Sequence, residues 1–210
     1  MNMRPRHLYL VVLSALLCSC AATSIKKTWK SPDLHQPVGK IAVLTVDPRV
    51  LLRQGFENRL AGQLIKAGTP ALVTFDKLGL EAIKADKAAA ADKLQAEGAQ
   101  AVLILRLLGV GTSYRESQPG GPSYAGTITG IESMGWYDYY SVGFMNMSPT
   151  YGNLEQKVYL ESILFDLKSE KRVWSAVSLT VIKENVDRVG EMDPLVGKIV
   201  EAMRKDGVIQ

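Results

Sequence analysis

Two residue types that carry much of protein chemistry are nearly missing from this 210-residue chain, which has two cysteines and two histidines. Both cysteines, Cys18 and Cys20, lie near the N-terminus. Beyond Cys20 no disulfide can form, and no thiolate can attack a substrate or hold a metal. His7 belongs to the N-terminal segment and His35 to a stretch read as a linker. The body is left without the commonest nucleophile–base and transition-metal groups. No catalytic residue, metal or cofactor is expected there, and the chain is not expected to be an enzyme. A dominant charge is missing too. The formal net charge is +4, but Arg4 and Arg6 precede Cys20 and no acid does, leaving 23 basic against 21 acidic residues after it. Such near-balance gives no basic footprint, and nucleic acid is not expected as a partner.

What is present begins with a basic N-terminus, Arg4, Arg6 and His7, followed by an apolar run from Leu8 to Leu17. About ten apolar residues are too few to cross a bilayer as a helix and read as a signal peptide. Leu17-Cys18-Ser19-Cys20 resembles the bacterial lipobox, with an aliphatic residue at −3, a small one at −1, then the cysteine. Cys18 is the poorer candidate, because bulky Leu17 would sit at its −1 position. The resemblance implies that residues 1–19 are removed and that Cys20 carries acyl chains such as palmitate. Each buried CH₂ contributes ~0.8 kcal/mol, so two or more chains anchor stably where one does not. Ala21 stands where an Asp would signal inner-membrane retention in enteric-type bacteria, which points to the outer membrane with the body facing the periplasm.

Residues 20–38 hold Ser, Thr, Lys and Pro without apolar periodicity and read as a lipidated tether. A single α/β domain is expected from residue 39 to 210, and a 47% hydrophobic fraction supplies its core. Lys40–Val46 reads as a strand buried on both faces. Asp47-Pro48 supplies a cap and a proline for the helix that follows. Leu52, Phe56, Leu60 and Leu64 form one stripe of that helix, and Gly68 stops it. Pro70–Phe75 is a second strand, Asp86–Glu97 a second helix closed by Gly98, and Ala101–Leu108 a third strand. The order β-α-β-α-β argues for neighbouring parallel strands. Val158–Leu167 and Arg172–Ile182 then form a β-hairpin, with Val173, Val177, Leu179 and Val181 on one face and Trp174 on the other. Asp193-Pro194 opens a C-terminal helix whose stripe is Val196, Ile199, Val200 and Met203, ended by Gly207. The expected architecture is one mixed sheet.

Residues 111–155 break the pattern as a Gly/Tyr-rich insertion holding six of the eight tyrosines. A segment this long without an evident element is usually functional or disordered. Trp136-Tyr137-Asp138-Tyr139-Tyr140 with Phe144 is its sharpest feature. Such side chains join an apolar body to a polar tip and suit interfaces and glycan stacking. Residues 124–134 and 136–147 each match the length of a membrane-crossing β-strand, although Glu132 and Asp138 oppose a lipid face. Partner contact is expected from Trp136, Tyr137, Tyr139, Tyr140 and Phe144, and from Trp29 in the tether. The alternatives are that Trp29 pins the tether to the domain and that the aromatic segment packs on its own body. Gly109-Val110-Gly111 follows a strand with no helix behind it and fails as a phosphate loop. Asp47, Glu57, Asp76, Glu161 and Asp166 are scattered. Asp47 reads as a helix cap and Glu57 as part of a solvated helix face. No spacing among them predicts a two-carboxylate glycosidase or a calcium loop.

Three stretches together resemble a family of poorly characterised bacterial lipoproteins. They are Thr28-Trp29-Lys30-Ser31-Pro32-Asp33, Gly98-Ala99-Gln100-Ala101-Val102-Leu103, and the hairpin from Leu164 to Ala176. The fold looks similar to the N-terminal domain of TolB, and to lipoproteins that form secretion rings, assist polysaccharide export or activate peptidoglycan synthases. Those relatives are assembly and interaction proteins. The resemblance implies an envelope lipoprotein that binds or assembles, with an envelope protein or a second copy as partner. The alternatives are a ring-forming secretion or export subunit, and a carboxylate-dependent enzyme acting on envelope glycans.

Overall fold

The computed structural model describes residues 22–79, 83, 85–110, 133–145, 156–182 and 192–210. Their six strands form one mixed sheet in the order β1-β6-β5-β4-β2-β3. The strands are β1 (Ala22–Lys30), β2 (Ile41–Val46), β3 (Ala71–Val73), β4 (Ala101–Val110), β5 (Gln156–Asp166) and β6 (Arg172–Ile182). Among the described residues four helices cover the two faces: α1 (Val50–Lys66), α2 (Lys87–Ala96), α3 (Trp136–Met145) and α4 (Met192–Lys205). The α/β class and the single mixed sheet expected from the sequence are both present.

β2 lies between β3 and β4 and pairs with both in parallel. All six of its residues are buried, because a central parallel strand has helices on both sides. Ile41 and Val43 face a core built with Leu60, Ala61 and Leu64 of α1 and Leu195, Val196, Ile199 and Met203 of α4. Ala42, Leu44 and Val46 face a second core with Ala90 and Leu94 of α2 and Trp136, Tyr139 and Tyr140 of α3. Each fully buried Leu or Ile contributes about 1.5–3 kcal/mol, so the alternation along β2 ties the two layers together. The stripe expected on α1 is graded: Leu60 and Leu64 are buried, Leu52 and Phe56 half-buried. Gly68, Gly98 and Gly207 have φ of +88°, +81° and +65°, the left-handed conformation that ends a helix most readily at glycine.

Three expectations need correction. The stretch read as a tether is in part a strand, Ala22–Lys30: β1 pairs antiparallel with β6 and forms one edge of the sheet. An edge strand is held by backbone hydrogen bonds to one neighbour, so it can be polar and show no apolar alternation. Asp47 does not cap α1. Arg49 stands at the cap, and Asp47 Oδ1 accepts from the Arg49 backbone N–H at 2.8 Å and from its side-chain Nε at 2.9 Å. Residues 136–145 are helix, which excludes the membrane-strand reading for 136–147. Among the described residues no helix is long and apolar enough to cross a membrane.

Candidate functional site

The registers place one end of the sheet apart from the other. Ala22 lies opposite Val181, Gln156 opposite Ile182, and Val110 opposite Val158. The chain therefore enters β1, leaves β4, returns to β5 and leaves β6 at the same end. β2 also finishes there, with Val46 opposite Arg106, and α1 starts three residues after Asp47. Val50 and Leu51 at that helix start are 68% and 81% exposed. Cys20, two residues before β1, lies outside the described residues.

The aromatic cluster sits on this part of the sheet, and burial takes Trp136, Tyr139 and Tyr140, though not Tyr137 or Trp29, out of the expected contact surface. Trp136, Tyr139 and Tyr140 are fully buried, forming the underside of α3 against the sheet. Their spacing of i, i+3 and i+4 puts them on one helix face. Tyr139 tilts against Phe165 with ring centroids 5.7 Å apart, and Trp136 meets the edge of Tyr137 at 6.0 Å. Tyr137 is half-buried and keeps some surface. The Phe144 side chain lies outside the described residues. Trp29, 37% exposed on β1, stacks one ring face over the Arg172 guanidinium at 4.2 Å.

A buried ion pair that sequence reasoning left scattered holds α3 in place. Arg106 of β4 and Glu161 of β5 are cross-strand partners. Arg106 Nη2 donates to Glu161 Oε2 at 2.8 Å. The Tyr139 hydroxyl donates to the same oxygen at 2.5 Å, and Arg106 Nε donates to the Tyr139 hydroxyl at 3.2 Å. Burial and the neighbouring Glu161 charge push the Tyr139 phenol well above its ordinary range. Burial alone would lower the Arg106 guanidinium, but Tyr139 and Glu161 outweigh it and hold it raised. The cluster clamps a helix to two strands and keeps Tyr139 a neutral donor.

The expectation for Glu57 also needs correction. It lies on no solvated face: it is fully buried where α1 crosses the ends of β2 and β3. Its Oε1 accepts from Arg53 Nε at 2.8 Å and from the Thr45 backbone N–H at 3.0 Å. Its Oε2 accepts from the Thr74 backbone N–H at 2.9 Å and the Thr74 hydroxyl at 3.1 Å. Asp166 shapes the hairpin turn by accepting from the Ser169 N–H and hydroxyl, both at 2.7 Å. Asp76 is exposed in the turn after β3. Among the described residues, no group of three or more His, Cys, Asp or Glu gathers in a metal-binding arrangement.

A groove the sequence did not reveal runs between β1 and α4. It encloses about 370 Å³ and is bordered by Ile25, Lys26, Lys27 and Thr28 on one side. Lys198, Glu201, Ala202, Lys205 and Asp206 border the other. The sequence signal, two adjacent lysines six and seven residues after Cys20 and three basic residues along α4, gains meaning only once β1 is known to be a strand.

No protein-family model matches the chain, and no curated protein matches it. Among solved structures, the chain is similar to PelC from Paraburkholderia phytofirmans, a dodecamer, at 14% identity and a TM-score of 0.45. That likeness covers 85% of this chain and 95% of PelC. It is also similar to lipoprotein GNA1162 from Neisseria meningitidis, at 17% identity and a TM-score of 0.39, covering 80% of this chain and 99% of that one. Likeness at this level carries no argument about what the chain does.

Proposed function

We propose that this chain is a non-catalytic binding or assembly protein of the cell envelope, anchored by acyl chains on Cys20 and facing the periplasm from the outer membrane. The carrying observation is that β1 begins at Ala22, two residues after Cys20. At ~3.3–3.6 Å per extended residue, an anchor there leaves only about 7 Å of slack. A protein that searched for distant partners would be served by a long tether. This one is built to work at the membrane surface. The acids support the same reading, since Glu57 and Glu161 each answer a buried arginine and hold elements together. The exposed Val50 and Leu51, at the end of the sheet where β1 begins, offer apolar contact area to a protein partner.

The test is palmitate labelling and membrane fractionation of the full chain and of Cys20→Ala. The wild type is expected to be labelled and membrane-bound, the variant unlabelled and released. A variant that stays on membranes, or an unlabelled wild type, overturns the anchor. Photo-crosslinking from Leu51 in intact cells then identifies the partner, a second copy of the chain included. Turnover of envelope glycan by the purified mature chain would overturn the non-catalytic reading.

A further inference from the structure

The groove between β1 and α4 is bordered mainly by charged side chains. Four lysines border it against two acids. The acids are already engaged: Glu201 pairs with Lys198 at 2.7 Å, and Asp206 Oδ2 accepts from Trp174 Nε1 at 2.8 Å. Lys30, next along the strand, donates to the Asp206 carbonyl at 3.0 Å. Lys26, Lys27 and Lys205 are in no salt bridge among the described residues. They are all exposed around a floor that includes buried Ala202.

The backbone brings the lysines to the groove deliberately. The β1–β6 register shifts between Ile25 and Lys27, so Lys26 has no partner across the ladder. A bulge of this kind re-aims side chains, and here it lets consecutive residues border one concavity instead of alternating across the sheet. β1 is the sheet edge, so among the described residues no further strand covers these lysines. A volume of about 370 Å³ suits a small polar group.

Position selects the ligand. Lys26 is six residues from Cys20, at most about 20 Å along an extended chain. We infer that the groove is a headgroup site for anionic phospholipid in the membrane that holds the chain, so that the β1–α4 edge of the body lies against the bilayer. The inference rests on the anchored reading proposed above. The phosphate of a glycerophospholipid meets Lys26, Lys27 and Lys205, and the exposed lysines of the edge strand face the lipid surface. The body thereby takes a fixed orientation instead of pivoting about its anchor.

The test uses the whole mature chain, residues 20–210, carrying Cys20→Ser so that no acyl chain contributes. Its binding to vesicles of phosphatidylcholine with about one-third phosphatidylglycerol is measured by flotation against vesicles of phosphatidylcholine alone. Each lysine at an anionic surface is worth about fivefold in affinity. The K26Q/K27Q/K205Q variant is expected to lose roughly a hundredfold. K66Q/K168Q/K171Q removes the same charge elsewhere and is expected to keep most of the binding. Circular dichroism verifies that both variants fold. Equal losses in the two variants, or no preference for phosphatidylglycerol, overturn the site. Displacement of the protein by soluble glycerol 1-phosphate at matched phosphate concentration overturns the membrane as its source. Because the chain used here lacks an acyl group, failure of vesicle binding is separate from failure of Cys20 labelling.

Discussion

Glu57 offers the sharpest test of how the fold is held. Replacing it with Leu leaves the Arg53 guanidinium, whose side chain is 6% exposed, as an uncompensated buried charge. Breaking one side of a buried pair costs about 3–5 kcal/mol. The backbone N–H groups of Thr45 and Thr74 lose their acceptor as well, at about 1 kcal/mol or more each. Glu57→Leu is therefore expected to cost about 5 kcal/mol or more, a large share of the ~5–15 kcal/mol that stabilises a typical domain. Arg53→Met removes one of four donors to Glu57 and leaves three, so its cost falls near the bottom of the range, about 3 kcal/mol. In the double variant no buried charge remains at this position. The two amides, the Thr74 hydroxyl and the Leu78 carbonyl, which Arg53 Nη2 reaches at 2.9 Å, are orphaned. Its expected cost is about 4 kcal/mol, well under the ~8 kcal/mol of the two singles added. Urea unfolding of the mature chain, followed by tryptophan fluorescence and far-ultraviolet circular dichroism, measures all three. If the double variant is as unstable as the sum, or Glu57→Leu costs less than Arg53→Met, the account of Glu57 as an acceptor hub fails.

Other variants probe separate elements. Tyr139→Phe removes two hydrogen bonds with charged groups, one to Glu161 and one from Arg106, and is expected to cost about 3 kcal/mol or more near neutral pH. The pH dependence has a definite sign. Burial and Glu161 raise the folded phenol above its ordinary value near ~10, so the unfolded chain loses this proton first. The contribution is complete below about pH 10 and declines above it. Denaturant midpoints between about pH 9 and 11 should thus fall less steeply in Tyr139→Phe than in the wild type, and parallel slopes would contradict the buried neutral donor. Asp86→Ala removes the oxygen that accepts from the Ala89 N–H at 2.9 Å and should lower stability by ~1 kcal/mol in thermal unfolding. Gly68→Ala meets open space but must adopt φ of +88°, so strain alone should cost about 1 kcal/mol; a neutral result would show that the turn relaxes.

How far the sequence discloses this fold depends on how locally each element is determined. β2 is legible because a run such as Ile41–Val46 can be satisfied only between two covered faces. The α4 stripe and the glycines at 68, 98 and 207 are legible because helical period and left-handed φ are local properties. β6 is harder. Its more apolar side, Val177, Leu179 and Val181, is half-buried, while Trp174, Ala176, Ser178 and Thr180 are buried. The two polar residues can lie there because Ser178 donates to the Leu160 carbonyl at 3.3 Å and Thr180 pairs with Thr23 at 3.1 Å. Those partners come from β5 and β1, so hydrophobicity along β6 alone points to the wrong side. β1 has the same difficulty, being specified by its neighbour and scarcely by its own side chains.

The site illustrates a stricter limit. The segment Trp136–Met145 has weak intrinsic helix preference, with aromatics, Ser, Val and Gly, and its composition reads as an interface. The i, i+3, i+4 spacing of Trp136, Tyr139 and Tyr140 was the available sign of a helix that buries them. The clamp beneath it could not be read that way, because Arg106 and Glu161 are 55 residues apart and meet only through register. Arg53 and Glu57, at i and i+4, were legible as neighbours but not as buried ones. Once placed, the two pairs share a position. Glu57 reaches the amides of Thr45 and Thr74 at the ends of β2 and β3, and Arg106 lies opposite Val46. Open α/β sheets commonly bind ligands outside the carboxyl ends of their parallel strands. Here two arginine–glutamate pairs occupy the polar positions there and hold a helix over each face. Among the described residues, charge outside any salt bridge is found instead along the β1–α4 edge, at Lys26, Lys27 and Lys205.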